Sequence, residues 1–179
     1  MKYILLGALL LLAPCAAVAA EPNSPKTIRI EDATLAKVGE GTFRWMLIKV
    51  YHGELYLDAN QPTADPLSDV SKQLKISYAI SLSDEDFRNS GNKILSRNLD
   101  PAEWDAIQER LQQLNAAYRN VEPGDAYTLT YIPGQGTTLA LNEIPLVTIP
   151  GEDFARAYFS IWLGQDPVKA SLRRDLLGY

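Results

Sequence analysis

Few residues in this chain can carry chemistry, because its 179 positions include one histidine, His52, and one cysteine, Cys15. A zinc site built from cysteine and histidine uses about four such ligands, so the sequence predicts no metal site and no cofactor. His52 could serve a serine hydrolase, but the Gly-x-Ser-x-Gly turn of those enzymes is missing, as is a glycine-rich phosphate loop. We therefore expect His52 to be structural or exposed.

Arg44 is the charged residue that the pattern singles out. Segment 43–57 is rich in β-branched and aromatic residues and is predicted as one strand, on which Arg44 shares a face with Met46, Ile48 and Val50. A guanidinium among apolar side chains needs an anion, because burying an unpaired charge is costly. That anion belongs either to a ligand or to the protein. The pattern by itself favours a structural role for Arg44. Its guanidinium would either pair with a protein carboxylate or reach solvent from the end of the strand.

Tyrosine is plentiful, with nine residues in the chain. Most of those in or beside predicted elements are interpreted as core residues with a solvated hydroxyl, since the ring is apolar and the hydroxyl is not. Tyr78, in a strand predicted over residues 74–82, is one of them.

The elements that position these residues come in blocks rather than in regular alternation of strand and helix. This order predicts an α+β fold with helices laid on a mainly antiparallel sheet. Besides the two strands already named, strands are predicted at Thr27–Ile30, Ala126–Ile132, 137–141 and Ile144–Ile149. Helices are predicted from Ser83, from Asp100 with Pro101 and Glu103 as start signals, over Glu152–Leu163, and after Asp166-Pro167.

The N-terminus has the three parts of a secretory signal: Lys2, an apolar run over residues 4–13, and small residues up to Ala20. We expect residues 1–20 to be a cleaved signal peptide, residues 21–179 to form one domain, and the protein to be periplasmic or secreted. Cys15 weakly suggests the alternative of a lipoprotein, although the adjacent Pro14 disfavours that cleavage. The apolar run is short for a permanent membrane anchor.

Charge limits the possible partners. The sequence has 17 basic and 22 acidic residues and a formal net charge of −5 at pH 7, without a basic run that could follow a phosphate backbone. Nucleic acid is therefore not an expected partner. The oligomeric state is left open.

Several segments together resemble the exported bacterial branch of the chalcone isomerase family, over about residues 28–178. Their order and spacing are more specific than any one of them. They are Gly39-Glu40-Gly41-Thr42-Phe43-Arg44, Lys49-Val50-Tyr51, Leu55-Tyr56-Leu57, Gly124-Asp125, Pro133-Gly134-Gln135-Gly136-Thr137, Phe159-Ser160-Ile161-Trp162-Leu163-Gly164 and Leu172-Arg173-Arg174-Asp175-Leu176-Leu177-Gly178.

The resemblance implies an open-faced β-sandwich, in which helices cover a large antiparallel sheet and an apolar ligand cleft lies between them. It implies that Arg44 matches the arginine that contacts the ligand's anionic oxygen. It also implies that Met46 and Phe87 replace a threonine and a tyrosine of the enzymes. Both replacements remove a hydroxyl that could stabilise developing charge, so chalcone cyclisation is not expected.

Three functions follow as hypotheses. The first is non-catalytic binding of a fatty acid or similar amphipathic small molecule, with Arg44, Met46, Tyr78 and Phe87 as ligand-binding residues. The second is an isomerase or intramolecular lyase that uses Arg44 and a tyrosine such as Tyr78. The third is a structural or interaction protein whose cleft is filled by Trp45, Met46 and Phe87. An open apolar cleft would favour the first two.

Overall fold

The computed structural model describes residues 24–179, which form seven strands and four helices. The predicted signal segment 1–20 lies outside the described residues. The strands are β1 (Thr27–Ile30), β2 (Ala33–Trp45), β3 (Ile48–Asp58), β4 (Lys72–Tyr78), β5 (Ala126–Ile132), β6 (Gly136–Leu141) and β7 (Ile144–Ile149). The helices are α1 (Asp84–Asn98), α2 (Pro101–Ala117), α3 (Glu152–Leu163) and α4 (Ala170–Leu176).

The strands form one sheet in chain order, from β1 to β7, and every neighbouring pair is antiparallel. Alternation along β4 shows the two faces, since Leu74, Ile76 and Tyr78 are buried on the helix side while Gln73 and Lys75 lie on the other. The open face continues across β5 and β6 with threonines. The predicted α+β class and open-faced sandwich are therefore confirmed.

Two helix starts are confirmed in detail. The Ser83 side chain accepts a hydrogen bond from the Asp86 backbone N–H, and the Asp86 carboxylate accepts one from the Ser83 N–H. Asp100 and Glu103 make the same reciprocal pair at α2. Such capping boxes satisfy backbone donors that a helix end leaves free.

The predicted single strand over residues 43–57 is wrong, and this corrects the face assigned to Arg44. The chain reverses at Met46 and Leu47, so Arg44 is the next-to-last residue of β2 while Ile48 and Val50 belong to β3. Met46 takes a left-handed conformation with φ 54°, which is uncommon for a residue other than glycine, asparagine or aspartate. A turn made of apolar residues gave no turn signal in the sequence.

Two other boundaries differ from prediction. β4 ends at Tyr78, and Leu82 pairs only with Val121 in an isolated bridge. The last helix begins at Ala170 rather than at Pro167. Asp166 does not cap this helix, because its backbone bonds to the Asn98 side chain and its carboxylate pairs with Arg97. Asp166 thus connects the end of α3 to α1.

Glycines in β2 let α4 lie directly on the sheet. A Cβ atom on Gly39 would come within 2.3 Å of the Asp175 carbonyl oxygen, and one on Gly41 within 2.7 Å of the Asp175 Cβ. No larger residue fits at such distances, so these glycines are explained by close packing.

Candidate ligand cavity

A cavity of about 580 Å³ lies between the helix-covered face of the sheet and helices α1 and α3. This volume is within the roughly 300–1,000 Å³ typical of small-molecule sites. The cavity opens to the surface beside the β2–β3 hairpin, whose Trp45 lines it while remaining largely exposed. The cleft is therefore open, which disfavours the filled-cleft hypothesis.

The walls of the cavity consist of residues that share one face of a strand or of a helix. Leu74, Ile76 and Tyr78 share one face of β4 by strand alternation. Phe87, Gly91 and Ile94 share one face of α1 by helical spacing and also line the cavity. Since Gly91 has no side chain, it leaves space between α1 and α3 that any other residue would partly fill.

One end of the cavity is an aromatic cluster centred on Phe87. Its ring stacks on Tyr118 with centroids 5.0 Å apart, and it meets Tyr78 and Tyr127 edge-on, each at 5.4 Å. Edge-to-face and offset-stacked pairs at these distances add favourable ring contacts to apolar burial. Phe87 is thus held in place by its neighbours and supplies a fixed apolar wall.

The tyrosine hydroxyls give the cavity its polar groups. The Tyr118 and Tyr158 hydroxyls bond to each other, and the Tyr51 hydroxyl accepts a hydrogen bond from Trp162 Nε1 at 3.3 Å. The Tyr127 hydroxyl donates to the Arg119 carbonyl oxygen at 2.9 Å. Within residues 24–179 the Tyr78 hydroxyl has no hydrogen-bond partner, so it is the one in this group most open to a ligand acceptor.

Burial keeps these phenols protonated. It is the main cause that raises the pKa of Tyr51, Tyr78, Tyr118 and Tyr158, and for Tyr78 the neighbouring tyrosines raise the pKa further. At neutral pH they can donate hydrogen bonds but cannot act as bases. Asp86, which also lines the cavity, has a lowered pKa because the Ser83 side chain and backbone donate to it.

The structure brings together two of the four predicted ligand-binding residues, Tyr78 and Phe87, in the cavity wall. Arg44 and Met46 are exposed and are not among the lining residues, although Phe43 and Trp45 on either side of Arg44 do line the cavity. The ligand contact of Arg44 stays a prediction. Sequence reasoning did not assign a cavity role to Tyr51, Gly91, Tyr118, Tyr158 or Trp162.

A cluster of possible metal ligands lies elsewhere, on β2 and β3. Ligand atoms of Glu40, His52 and Glu54 are within 4.8 Å of one another. The Lys37 ammonium already lies 2.6 Å from Glu40 and 3.9 Å from Glu54, and His52 Nδ1 is 3.1 Å from the Thr42 hydroxyl. With a lysine cation among its carboxylates, the cluster is better explained as an ion-pair network than as a metal site.

Comparison with known proteins agrees with this architecture. The family model described as "chalcone isomerase-like" matches residues 16–178. The chain belongs to the chalcone isomerase-like family. Among solved structures, this family member is similar to a fatty-acid binding protein of Arabidopsis thaliana, with a TM-score of 0.68 and 16% identity, over 87% of this chain and 91% of that one. No curated protein matches the sequence.

The likeness to the plant protein extends over nearly the whole of both chains, so it covers the sheet and the helices together. At 16% identity it establishes a shared fold. For a chalcone isomerase-like protein, the position of the cavity between sheet and helices is the one that the sequence resemblance implied. What enters that cavity must be argued from its own lining.

Proposed function

We propose that this protein is a non-catalytic binder of a fatty acid or a similar amphipathic small molecule. The observation that carries the proposal is the open cavity of about 580 Å³ with its largely apolar and aromatic wall. Such a wall suits an acyl chain. The Tyr78 hydroxyl offers one hydrogen-bond donor to a polar group of the ligand. The structural likeness to a plant fatty-acid binding protein supports the same ligand class.

The lining favours binding over proton transfer. Its ionisable groups, within the described part of the chain, are tyrosines with raised pKa values and Asp86, whose carboxylate is held in the capping box of α1. A general base is most effective with a pKa near the working pH. These groups offer none, so the isomerase hypothesis has less support than the binding hypothesis.

The charged end of a fatty acid would lie at the mouth. The cavity lining contributed by residues 24–179 includes neither lysine nor arginine, and an unpaired carboxylate is costly to bury. Arg44 is exposed and directly precedes Trp45, which lines the cavity, and no described acid forms an ion pair with Arg44. The proposed pose therefore has the acyl chain inside and the carboxylate against Arg44.

Replacing Arg44 with methionine tests this pose. Loss of a charge-assisted hydrogen bond, worth roughly 1.5–3 kcal/mol, should weaken palmitate binding about tenfold or more. Titration calorimetry with lipid-free protein measures the dissociation constant for palmitate. The melting temperature should change little, because no protein carboxylate loses a partner.

Arg29→Met is the matched control, since Arg29 is exposed in β1, which pairs with residues 33–36 at the other end of β2 from Arg44. Its affinity should equal that of the wild type. Unchanged affinity in Arg44→Met would remove Arg44 from the site. No palmitate binding by the wild type would reject the fatty-acid proposal itself.

We propose that the protein is exported, because a basic residue, an apolar run and small residues follow one another up to Ala20, as in a signal peptide. We expect the mature protein to begin near Glu21 and to work in the periplasm or outside the cell. Intact-mass measurement of protein from the native compartment checks the cleavage. A chain that retains Met1, or one that begins at a lipid-modified Cys15, would contradict this expectation.

A further inference from the structure

The hairpin between β2 and β3 ends in four consecutive exposed apolar residues, here called the apolar tip: Trp45, Met46, Leu47 and Ile48. They are 67%, 85%, 93% and 58% exposed. Elsewhere in residues 24–179 the exposed large apolar side chains are Ile144 and Tyr179, which stand apart from each other. Single exposed apolar residues are ordinary, whereas a contiguous group indicates an interaction surface.

Folding does not explain the composition of this turn. The left-handed conformation of Met46, with φ 54°, would be adopted more easily by glycine or asparagine. The apolar tip makes no part of the buried core. Met46 is thus unfavourable for the turn, and Met46, Leu47 and Ile48 neither join the core nor line the cavity, so a partner outside the chain is the better explanation.

The charges at the base of the tip indicate which partner. Arg44 and Lys49 are directly opposed across the two strands, immediately below the apolar residues. Within the described residues no acid forms an ion pair with Arg44, which is exposed, so an anionic headgroup can pair with it. An apolar end with an aromatic residue beside an exposed arginine is typical of segments that enter the interface of a lipid bilayer.

We propose that the apolar tip inserts into the interfacial region of a bilayer, with anionic lipid headgroups against Arg44. Because Trp45 also lines the cavity, this contact places the cavity mouth at the membrane surface. Among residues 24–179 no helix has the length and apolar character of a membrane span. The overall net charge of −5 makes general attraction to anionic lipid unfavourable, so the contact depends on the tip.

Vesicle flotation tests the proposal with lipid-free full-length mature protein. The wild type should bind vesicles of phosphatidylcholine with about a third phosphatidylglycerol more strongly than vesicles of phosphatidylcholine alone. Leu47→Asp should lower binding at least about tenfold, since it places a carboxylate in the apolar layer. Leu47 is almost fully exposed, so this change should leave the melting temperature unchanged.

Ile144→Asp is the matched control, because Ile144 is 67% exposed at another hairpin of the same sheet end but does not line the cavity. It should bind vesicles like the wild type. Failure of the wild type to bind either vesicle, or equal binding by Leu47→Asp, would overturn the proposal. The tip would be assigned to contact with a second copy of the chain if the wild type did not bind vesicles, sedimented as a dimer, and became a monomer in Leu47→Asp.

Palmitate titration without vesicles is a separate measurement, so the fatty-acid proposal and the membrane proposal can fail independently.

Discussion

Gly91→Leu is expected to weaken palmitate binding about 30-fold, or ~2 kcal/mol, while the protein remains folded. A Cβ at Gly91 would lie 3.9 Å from Ile161 Cδ1 and 4.0 Å from the Tyr158 hydroxyl oxygen, which are ordinary contacts. The rest of a leucine side chain would extend into space that the proposed ligand occupies. Overpacking of a filled site typically costs about 1–3 kcal/mol.

Gly91→Ala separates the steric effect from the helix effect. Gly91 lies in the middle of α1, where alanine is favoured over glycine by about 0.8–1 kcal/mol. Both variants should therefore melt at or above the wild-type temperature, but the alanine variant should keep nearly full affinity. Titration and scanning calorimetry on the three proteins measure both quantities. Wild-type affinity in Gly91→Leu would show that the ligand does not use this cavity.

The contribution of Lys72 to the free energy of unfolding is expected to rise between pH 8 and pH 10, by about 2 kcal/mol. Burial lowers the pKa of this lysine from 10.5 to about 8, against the opposing effect of Asp69, Asp65 and Glu152. Between these two pKa values the lysine binds more protons in the unfolded chain than in the folded one, so its contribution increases with pH. The buried tyrosines have raised pKa values and act in the opposite direction as the pH approaches 10, the pKa of a tyrosine in the unfolded chain.

The geometry around Lys72 supports this reading. The side chain is fully buried, and its Nζ donates to the Ser68 carbonyl oxygen at 2.6 Å. Nζ also lies 4.9 Å from the centroid of the Tyr131 ring and 5.5 Å from that of Phe159. These contacts hold the amine in place, but an aromatic and carbonyl environment replaces only part of its hydration.

Urea unfolding of the wild type and of Lys72→Met at pH 8, 9 and 10 measures the effect. The free energy of unfolding of the wild type, minus that of Lys72→Met, should rise by about 2 kcal/mol, because the tyrosines titrate in both proteins and the lysine in one. Lys75→Met is the control, since Lys75 lies on the open face of the same strand, and its difference from the wild type should not change with pH. A difference between wild type and Lys72→Met that stays level or falls across this range would contradict the expected direction.

Much of the fold was predictable because it is encoded locally. Alternation of apolar and polar residues indicated β5, β6 and β7. Ser83 and Asp100, as N-cap residues, indicated the starts of α1 and α2. The β2–β3 hairpin was missed because its turn is built from apolar residues that continue a strand pattern. Residues 33–42 of β2 were also not predicted as a strand, and Gly39 and Gly41 within them are explained by contact with α4.

The cavity was less predictable, because it is defined by where side chains are absent. Phe87 was found through a family resemblance, whereas Gly91 gave no sign of a cavity role because it lies inside a helix. Tyr118 and Tyr158 are far apart in sequence, and nothing local indicates that their hydroxyls meet. Arg44 was assigned to an apolar face because the turn was missed, and its contact with a ligand remains to be tested by experiment.

The packing of α4 on β2 has a consequence for how the chain folds. Gly39 contacts the segment from Asp175 to Gly178, so an early strand is covered only by the last residues of the sequence. Contacts between such distant parts of a chain require closure of a large loop and slow the search for the native state. Until the C-terminal residues are present, one end of the sheet has no cover, and the domain cannot complete its folding from the N-terminus onward.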